Sequence, residues 1–180
     1  KNHQGVFAFI SPIDFHNIED IVPTLYEKGK TPLILVLDRI TDVRNFGAIA
    51  RTAVCAGVDT ILIPEKNSAA INADAIKTSA GALLKITVCR TWNLKISLQF
   101  LKDSGIQLIS CTEKTQDDIY KPDYTPPTAI IMGSEEDGVS TEFLKMSDAK
   151  AKIPISEKIA SLNVSVATGI ILYEAIKQRN

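Results

Sequence analysis

Three short stretches of this chain carry residue types that could act together chemically. The apolar run of residues 128–132 ends in Met132 and empties into Gly133-Ser134-Glu135-Glu136-Asp137-Gly138. Glycine permits positive φ and leaves no Cβ in the way, so a strand that ends in a glycine-framed turn is a place where backbone can meet a ligand. The three acids would repel a phosphate and suit a cationic or neutral group. The second stretch runs from Asp42 through Arg44, Asn45 and Gly47 to Arg51 and reads as a polar turn opening a helix. Asp42 or Asn45 could cap that helix, and Arg51 lies four residues beyond Gly47 on the same face. Arg39, Arg44 and Arg51 gather near one strand end, where α/β sheets bind ligands and guanidinium groups meet phosphate. Taken alone, the segment reads equally as a capped helix with a surface arginine. In the third stretch, Ser161-Leu162-Asn163 precedes an apolar segment. Small hydrogen-bonding groups at a buried helix start can cap it and also offer an amide to a substrate.

Several chemistries are excluded. Gly-x-Gly-x-x-Gly is absent, no Gly-Lys-Ser/Thr follows the acidic turn, and there is no nucleophile elbow. His3 and His16 have no carboxylate or cysteine at metal spacing, so no metal is expected. Trp92 reads as packing. Cys55, Cys89 and Cys111 are odd in number and lack paired short spacing, which reads as buried reduced thiols and a cytoplasmic protein. With 20 Lys+Arg against 21 Asp+Glu there is no global basic signature, so any RNA contact must be local. No apolar run approaches the roughly 18 residues that span a bilayer, and no membrane segment is expected.

The elements that must position these residues follow from periodicity. Short apolar runs at residues 6–10, 33–37, 60–63, 86–89, 107–110, 128–132 and 151–155 read as strands buried on both faces. Helices are expected at residues 18–28, 45–56, 73–79, 94–103, 141–147 and 163–178, with Pro23 bending or restarting the first. The alternation implies one α/β domain, a mostly parallel sheet with helices on both faces. Residues 112–127 hold three prolines and few apolar side chains and read as a mobile surface loop.

Asn45-x-Gly47-x-x-x-Arg51, the Gly133-Ser134-Glu135-x-x-Gly138 turn, and Ile153-Pro154-Ile155 leading to Ser161-Leu162-Asn163-Val164-Ser165-Val166-Ala167 resemble, in order and spacing, the three motifs of the SpoU/TrmH family of RNA ribose 2′-O-methyltransferases. Val43-Arg44 departs from the proline-containing approach to the asparagine in many relatives. The resemblance covers residue 33 to the C-terminus. Asn2-His3-Gln4-Gly5-Val6 is similar to the entry of the branch that modifies a guanosine of 23S ribosomal RNA.

The resemblance implies S-adenosylmethionine as methyl donor, RNA as partner, a homodimer and a C-terminal deep trefoil knot, which general folding rules would not suggest. It also implies an RNA-binding domain upstream of residue 1. Gly133, Ile153 and Leu162 match positions that hold the adenosyl group, with Met132 beside them and Gly138 shaping the loop. Asn45, Arg51, Glu135, Ser161 and Asn163 match the polar ring around the methyl and the incoming ribose. A guanidinium is a poor base, so Arg51 is expected to hold the adjacent phosphate and stabilise the developing alkoxide. The alternatives are a transfer-RNA 2′-O-methyltransferase, a non-catalytic RNA-binding assembly protein of the same fold, and a methyltransferase acting on a base nitrogen.

Overall fold

The computed structural model describes residues 11–156, 158–159 and 161–180; the strand expected at residues 6–10 lies outside them. In chain order the elements are α1 (Ile18–Glu27), β1 (Leu33–Leu37), α2 (Val43–Cys55), β2 (Thr60–Pro64), α3 (Ala73–Thr78), a 3-10 turn (Ala82–Leu84), β3 (Thr87–Thr91), α4 (Leu94–Asp103), β4 (Gln107–Cys111), β5 (Thr128–Met132), α5 (Thr141–Met146), β6 (Ala149–Ala151) and α6 (Val164–Arg179). The sheet has six strands in the order β3-β2-β1-β5-β4-β6, and every pairing is parallel.

Strand β1 shows why this sequence folds this way. All five of its residues are buried, and because strand side chains alternate, they feed two cores. Leu33, Leu35 and Leu37 join the cluster under α2 and α6, whereas Ile34 and Val36 join the cluster that includes α1, α4 and α5. Strand β5 repeats the division, with Ile130 and Met132 on the first side and Ala129 and Ile131 on the second. The chain builds outward from β1 through β2 to β3, then crosses to the other side for β4. The direction of winding therefore reverses at β1 and β5, and in such sheets the crevice at the carboxyl ends of the strands there is the ligand position.

Several sequence expectations are corrected, and Trp92, read as packing, is 77% exposed. Helix α1 runs through Pro23 as one element. Its fifth residue or later would normally need the missing N–H, but burial of Val22 and Leu25 on both sides of the proline holds the helix against the sheet. The last strand is Ala149–Ala151, earlier than residues 151–155; the ladder stops before Pro154, which has no N–H to donate. Cys55 is exposed in the last turn of α2, although Cys89 is buried and all three thiols are free. Burial raises Cys89 to about 11 and Cys111 to about 12, so both stay protonated at neutral pH.

The segment at residues 112–127 is anchored rather than mobile. Ile119 and Tyr124 are 1% and 0% exposed and belong to the main core. The end of α6 ties the segment down: Gln178 Oε1 accepts from Tyr124 N at 3.0 Å, and Arg179 donates to the carbonyls of Tyr124 at 2.7 Å and Pro126 at 2.7 Å. Arg179 also reaches Thr31 O at 2.9 Å and Pro32 O at 3.2 Å, so one guanidinium joins the C-terminus, this segment and the entry to β1. Arg179→Ala strands the partly buried Tyr124 and Pro32 carbonyls and should cost about 1–3 kcal/mol in urea unfolding with an unchanged m-value.

Candidate functional site

The loops after β1 and β5, the two strands at the winding reversal, meet the start of α6. After β5 the chain turns so tightly that an added Cβ on Gly133 would stand 2.0 Å from the Gly138 carbonyl carbon and 2.1 Å from Val139 N. No side chain fits there. Gly138 closes the turn at φ 71°, in the left-handed region that glycine favours, and donates its N–H to Ser134 O at 2.9 Å. Ser134 Oγ accepts from Asp137 N at 3.2 Å, which leaves Glu135 and Glu136 exposed at the tip.

A latch built on Asp38 holds this turn. Asp38 is 3% exposed at the end of β1 and accepts from Ser140 N at 2.7 Å and Ser140 Oγ at 2.6 Å. Arg39 follows it with φ 60°, a conformation uncommon outside glycine. Its guanidinium donates to Asp38 at 3.2 Å, to Asp137 at 2.8 Å and to the Gly138 carbonyl at 2.9 Å. The hydrogen bond Arg39 donates to Asp38 leads the causes that raise the Arg39 pKa. Lys114 adds a donor to the Asp137 carbonyl at 3.0 Å. The grouping of Arg39, Arg44 and Arg51 read from sequence is thus dispersed: Arg39 is consumed by carboxylates, and Arg44 and Arg51 are exposed on α2.

Asn45, Glu135 and Asn163 come together from three separate stretches. Asn45 Nδ2 donates to Glu135 Oε1 at 2.9 Å, and Asn163 Nδ2 donates to the same oxygen at 3.0 Å and to Asn45 Oδ1 at 3.0 Å. Both asparagines stand at helix starts, Asn45 in the first turn of α2 and Asn163 at the cap of α6. Asp42, not Asn45, caps α2 by accepting from Asn45 N at 2.7 Å. Asn163 caps α6, its Oδ1 accepting from Ser165 N at 3.0 Å and Val166 N at 3.4 Å. Asn163 therefore caps with its oxygen while its nitrogen serves the cluster. Ser161 and Arg51 stay outside this hydrogen-bonded group. Arg51 is six residues from Asn45, roughly 9 Å along the helix axis.

Gly47 is explained by packing: an added Cβ would stand 2.8 Å from Thr78 Cβ and 3.1 Å from Ala75 O, so its absence lets α3 close on α2. Asp38, Ser140 and Lys114 were not singled out for the site from sequence, and Arg39 was read there as a phosphate contact rather than as a partner of carboxylates. The available signal was an aspartate directly after an apolar strand, since a buried carboxylate there must find donors.

Of the cavities that have the acidic turn as a wall, two are lined by Glu135. The larger, about 360 Å³, has Met132, Gly133, Gly138, Ile153, Leu162 and Ser161 in its lining, along with Ile155, Val164 and Ala167. The smaller, about 310 Å³, lies on the Asn45 side and is bounded by Arg39, Thr41, Asp42 and Asn67. An apolar floor, a backbone with no Cβ at Gly133 and an acidic rim fit an uncharged ring system that carries a cationic centre. No described helix is long and apolar enough to cross a membrane. Among the described residues no three His, Cys, Asp or Glu could hold a metal ion.

Residues 32–173 match the model of the SpoU rRNA Methylase family. The chain is 40% identical over 178 residues to the 23S rRNA (guanosine-2′-O-)-methyltransferase RlmB of Vibrio parahaemolyticus, a match that covers 99% of this chain and 72% of the relative. A TrmH/SpoU tRNA modifying enzyme of A. aeolicus superimposes with a TM-score of 0.75 at 33% identity, covering 89% of this chain and 83% of that one. The AdoMet-bound rRNA methyltransferase of Sinorhizobium meliloti gives a TM-score of 0.82 at 27% identity over 91% of this chain; the match spans 61% of the larger protein.

The two turn glycines should respond differently to substitution. Gly133→Ala forces backbone apart and should cost more than about 4 kcal/mol or prevent folding. Gly138→Ala meets Glu113 only at 3.7 Å and should cost about 1–2 kcal/mol through its positive φ. Thermal unfolding of both variants measures the difference.

Proposed function

Since the chain belongs to the SpoU rRNA methylase family, we propose that it transfers a methyl group from S-adenosylmethionine to a ribose 2′-hydroxyl of RNA, on a guanosine of 23S ribosomal RNA. The observation that carries this reading is the Asn45–Glu135–Asn163 cluster, set on the wall between an apolar, acid-rimmed cavity and a second polar one.

The larger cavity suits the cofactor: Met132, Ile153 and Leu162 supply apolar surface, Gly133 and Gly138 supply close backbone, and the acids face the cationic end. S-adenosylmethionine supplies an electrophilic methyl group on a sulfonium. The protein must then set the ribose oxygen in line and remove its proton. Glu135 Oε1 is engaged by two amides, while Oε2 has no partner among the described residues and is available to the hydroxyl. The two amides fix the carboxylate before substrate arrives, which is preorganisation of the kind that lowers barriers. Ser161 lines the cofactor cavity beside Leu162 and supplies a hydroxyl to it, outside the hydrogen-bonded cluster. Arg51, displaced along α2, is placed for a phosphate beside the reacting nucleotide rather than for the cluster itself.

The family's homodimer and knot belong to the same proposal. Val166, Ile170 and Tyr173 are 51%, 37% and 55% exposed and recur at helical spacing on α6, an apolar stripe opposite that helix's buried face. Gly169 brings α6 against Thr52 of α2, at 3.6 Å from an added Cβ. A second copy of the chain covers the stripe. Lys152, Ile153, Ile155, Ser161 and Leu162 line the same cavity as the 133–138 turn, which supports a knotted C-terminal segment. An RNA-binding domain upstream of residue 1 completes the proposal, and the greater length of the Vibrio relative leaves room for it.

Calorimetric titration with S-adenosylmethionine, followed by methyl transfer to a 23S transcript, tests the activity; absence of both refutes it. Asn163→Ser keeps a cap on α6 but removes the amide that donates to Glu135 and Asn45. Stability should stay within about 0.5 kcal/mol while kcat falls at least about 10-fold; equal loss of both would reduce Asn163 to a cap. Tyr173→Glu combined with Val166→Glu should yield monomers by sedimentation velocity, and an unchanged mass would reject the α6 interface.

A further inference from the structure

The smaller cavity has a definite chemical character set by hydrogen bonds already made. Arg39, the one guanidinium in its lining, is spent on Asp38, Asp137 and the Gly138 carbonyl. No cation in the lining is left to receive an anion. Acceptors remain. Asp42 commits Oδ1 to the Asn45 N–H at 2.7 Å, while Oδ2 has no partner among the described residues. Its carboxylate is therefore held in one orientation by the cap it makes on α2. Thr41 and Asn67 add an uncharged hydroxyl and amide, with Asn67 fixed in a left-handed turn at φ 58°.

On the reading of the site as a ribose 2′-O-methyltransferase, we propose that this cavity receives the base of the target nucleotide and that Asp42 selects guanine. Guanine presents two adjacent donors, N1–H and the 2-amino group, and beside them the O6 acceptor. A fixed carboxylate can accept from both donors, with the Asn67 amide or the Thr41 hydroxyl donating to O6. Adenine and cytosine would set a ring-nitrogen lone pair against the carboxylate, and uracil offers one donor between two acceptors. A base read on this edge must leave its stack or come from a loop, as in other enzymes that act on single nucleotides. At about 310 Å³ the space lies at the small end of ligand pockets, suited to a base without its phosphates. The phosphates then stay outside, where Arg44 and Arg51 lie two turns apart on the exposed side of α2. The ribose between them falls at the Asn45–Glu135–Asn163 cluster, which borders the same cavity through Asn45 and Glu135.

Asp42→Asn is the discriminating variant, because asparagine caps a helix as well as aspartate but replaces one acceptor with a donor. The methylated nucleotide is first mapped on a 23S transcript with the wild-type chain. Synthetic RNAs carrying guanosine, inosine or adenosine at that position are then compared by kcat/KM. Inosine lacks the 2-amino group, so the wild type should favour guanosine over inosine by at least about 10-fold and over adenosine by more. Asp42→Asn should bring the guanosine-to-inosine ratio within about 2-fold of unity, with an unchanged melting temperature and S-adenosylmethionine affinity. A variant ratio equal to that of the wild type, or a wild type indifferent to the 2-amino group, would overturn the assignment of Asp42 while leaving the methyltransferase reading intact. A wild-type chain that binds no S-adenosylmethionine and methylates no nucleotide would overturn both.

Discussion

The structure of the site depends on one buried carboxylate. Asp38 sits at the end of the central strand, almost fully removed from water, and a charge in that position is tolerable only with donors around it. It finds them in Ser140 and Arg39, which belong to the far end of the acidic turn and to its own loop. Arg39 then reaches over to Asp137 and the Gly138 carbonyl. The winding reversal places β1 beside β5; the Asp38 latch converts that adjacency into a fixed geometry between their loops. Without the latch, Glu135 would be one of three exposed acids on a loop tip. With it, Glu135 faces two asparagines at hydrogen-bonding distance.

Electrostatics divide the region by function. Arg39 and Lys114 are already committed to the acidic turn, whose three acids outnumber the Lys152 that shares the larger cavity, while the exposed arginines lie on the outer side of α2. A cationic cofactor centre and a donor-rich base are drawn inward and phosphate is left outside. This arrangement explains how a chain with formal net charge −1 can belong to a family that acts on RNA: the positive charge is local and peripheral.

The sheet was legible in sequence because it is buried on both faces. Continuous apolar runs such as residues 33–37 and 128–132 coincide with β1 and β5 residue for residue. Legibility failed where tertiary contacts override local pattern. Residues 112–127 look like a loose loop until Tyr124 is seen in the core and Arg179, more than fifty residues later, binds its carbonyl. Strand β6 is displaced because only three residues pair before the chain leaves the sheet to line a cavity. Within the site, the three stretches that meet were recognisable from their residue types. The Asp38 latch was hidden, since an aspartate after a strand can equally well be a solvated turn residue, and Arg39 looked free for phosphate until its acceptors were in view.

Asn163 shows why fold and site cannot be separated here. Its oxygen caps the helix that closes the C-terminal segment, and its nitrogen completes the polar cluster. Rotation of the amide to improve one role would abolish the other, because a donor would face the helix N–H groups and an acceptor would face Glu135. The same coupling occurs at Asp42, where a cap oxygen and an open oxygen belong to one rigid carboxylate. Helix starts fix side-chain orientation through backbone hydrogen bonds, with no added rotamer freedom to lose when substrate binds. Asn163 and Asp42 are oriented in this way, so polar groups on both sides of the site inherit their geometry from secondary structure, while the loops between them supply the cavities.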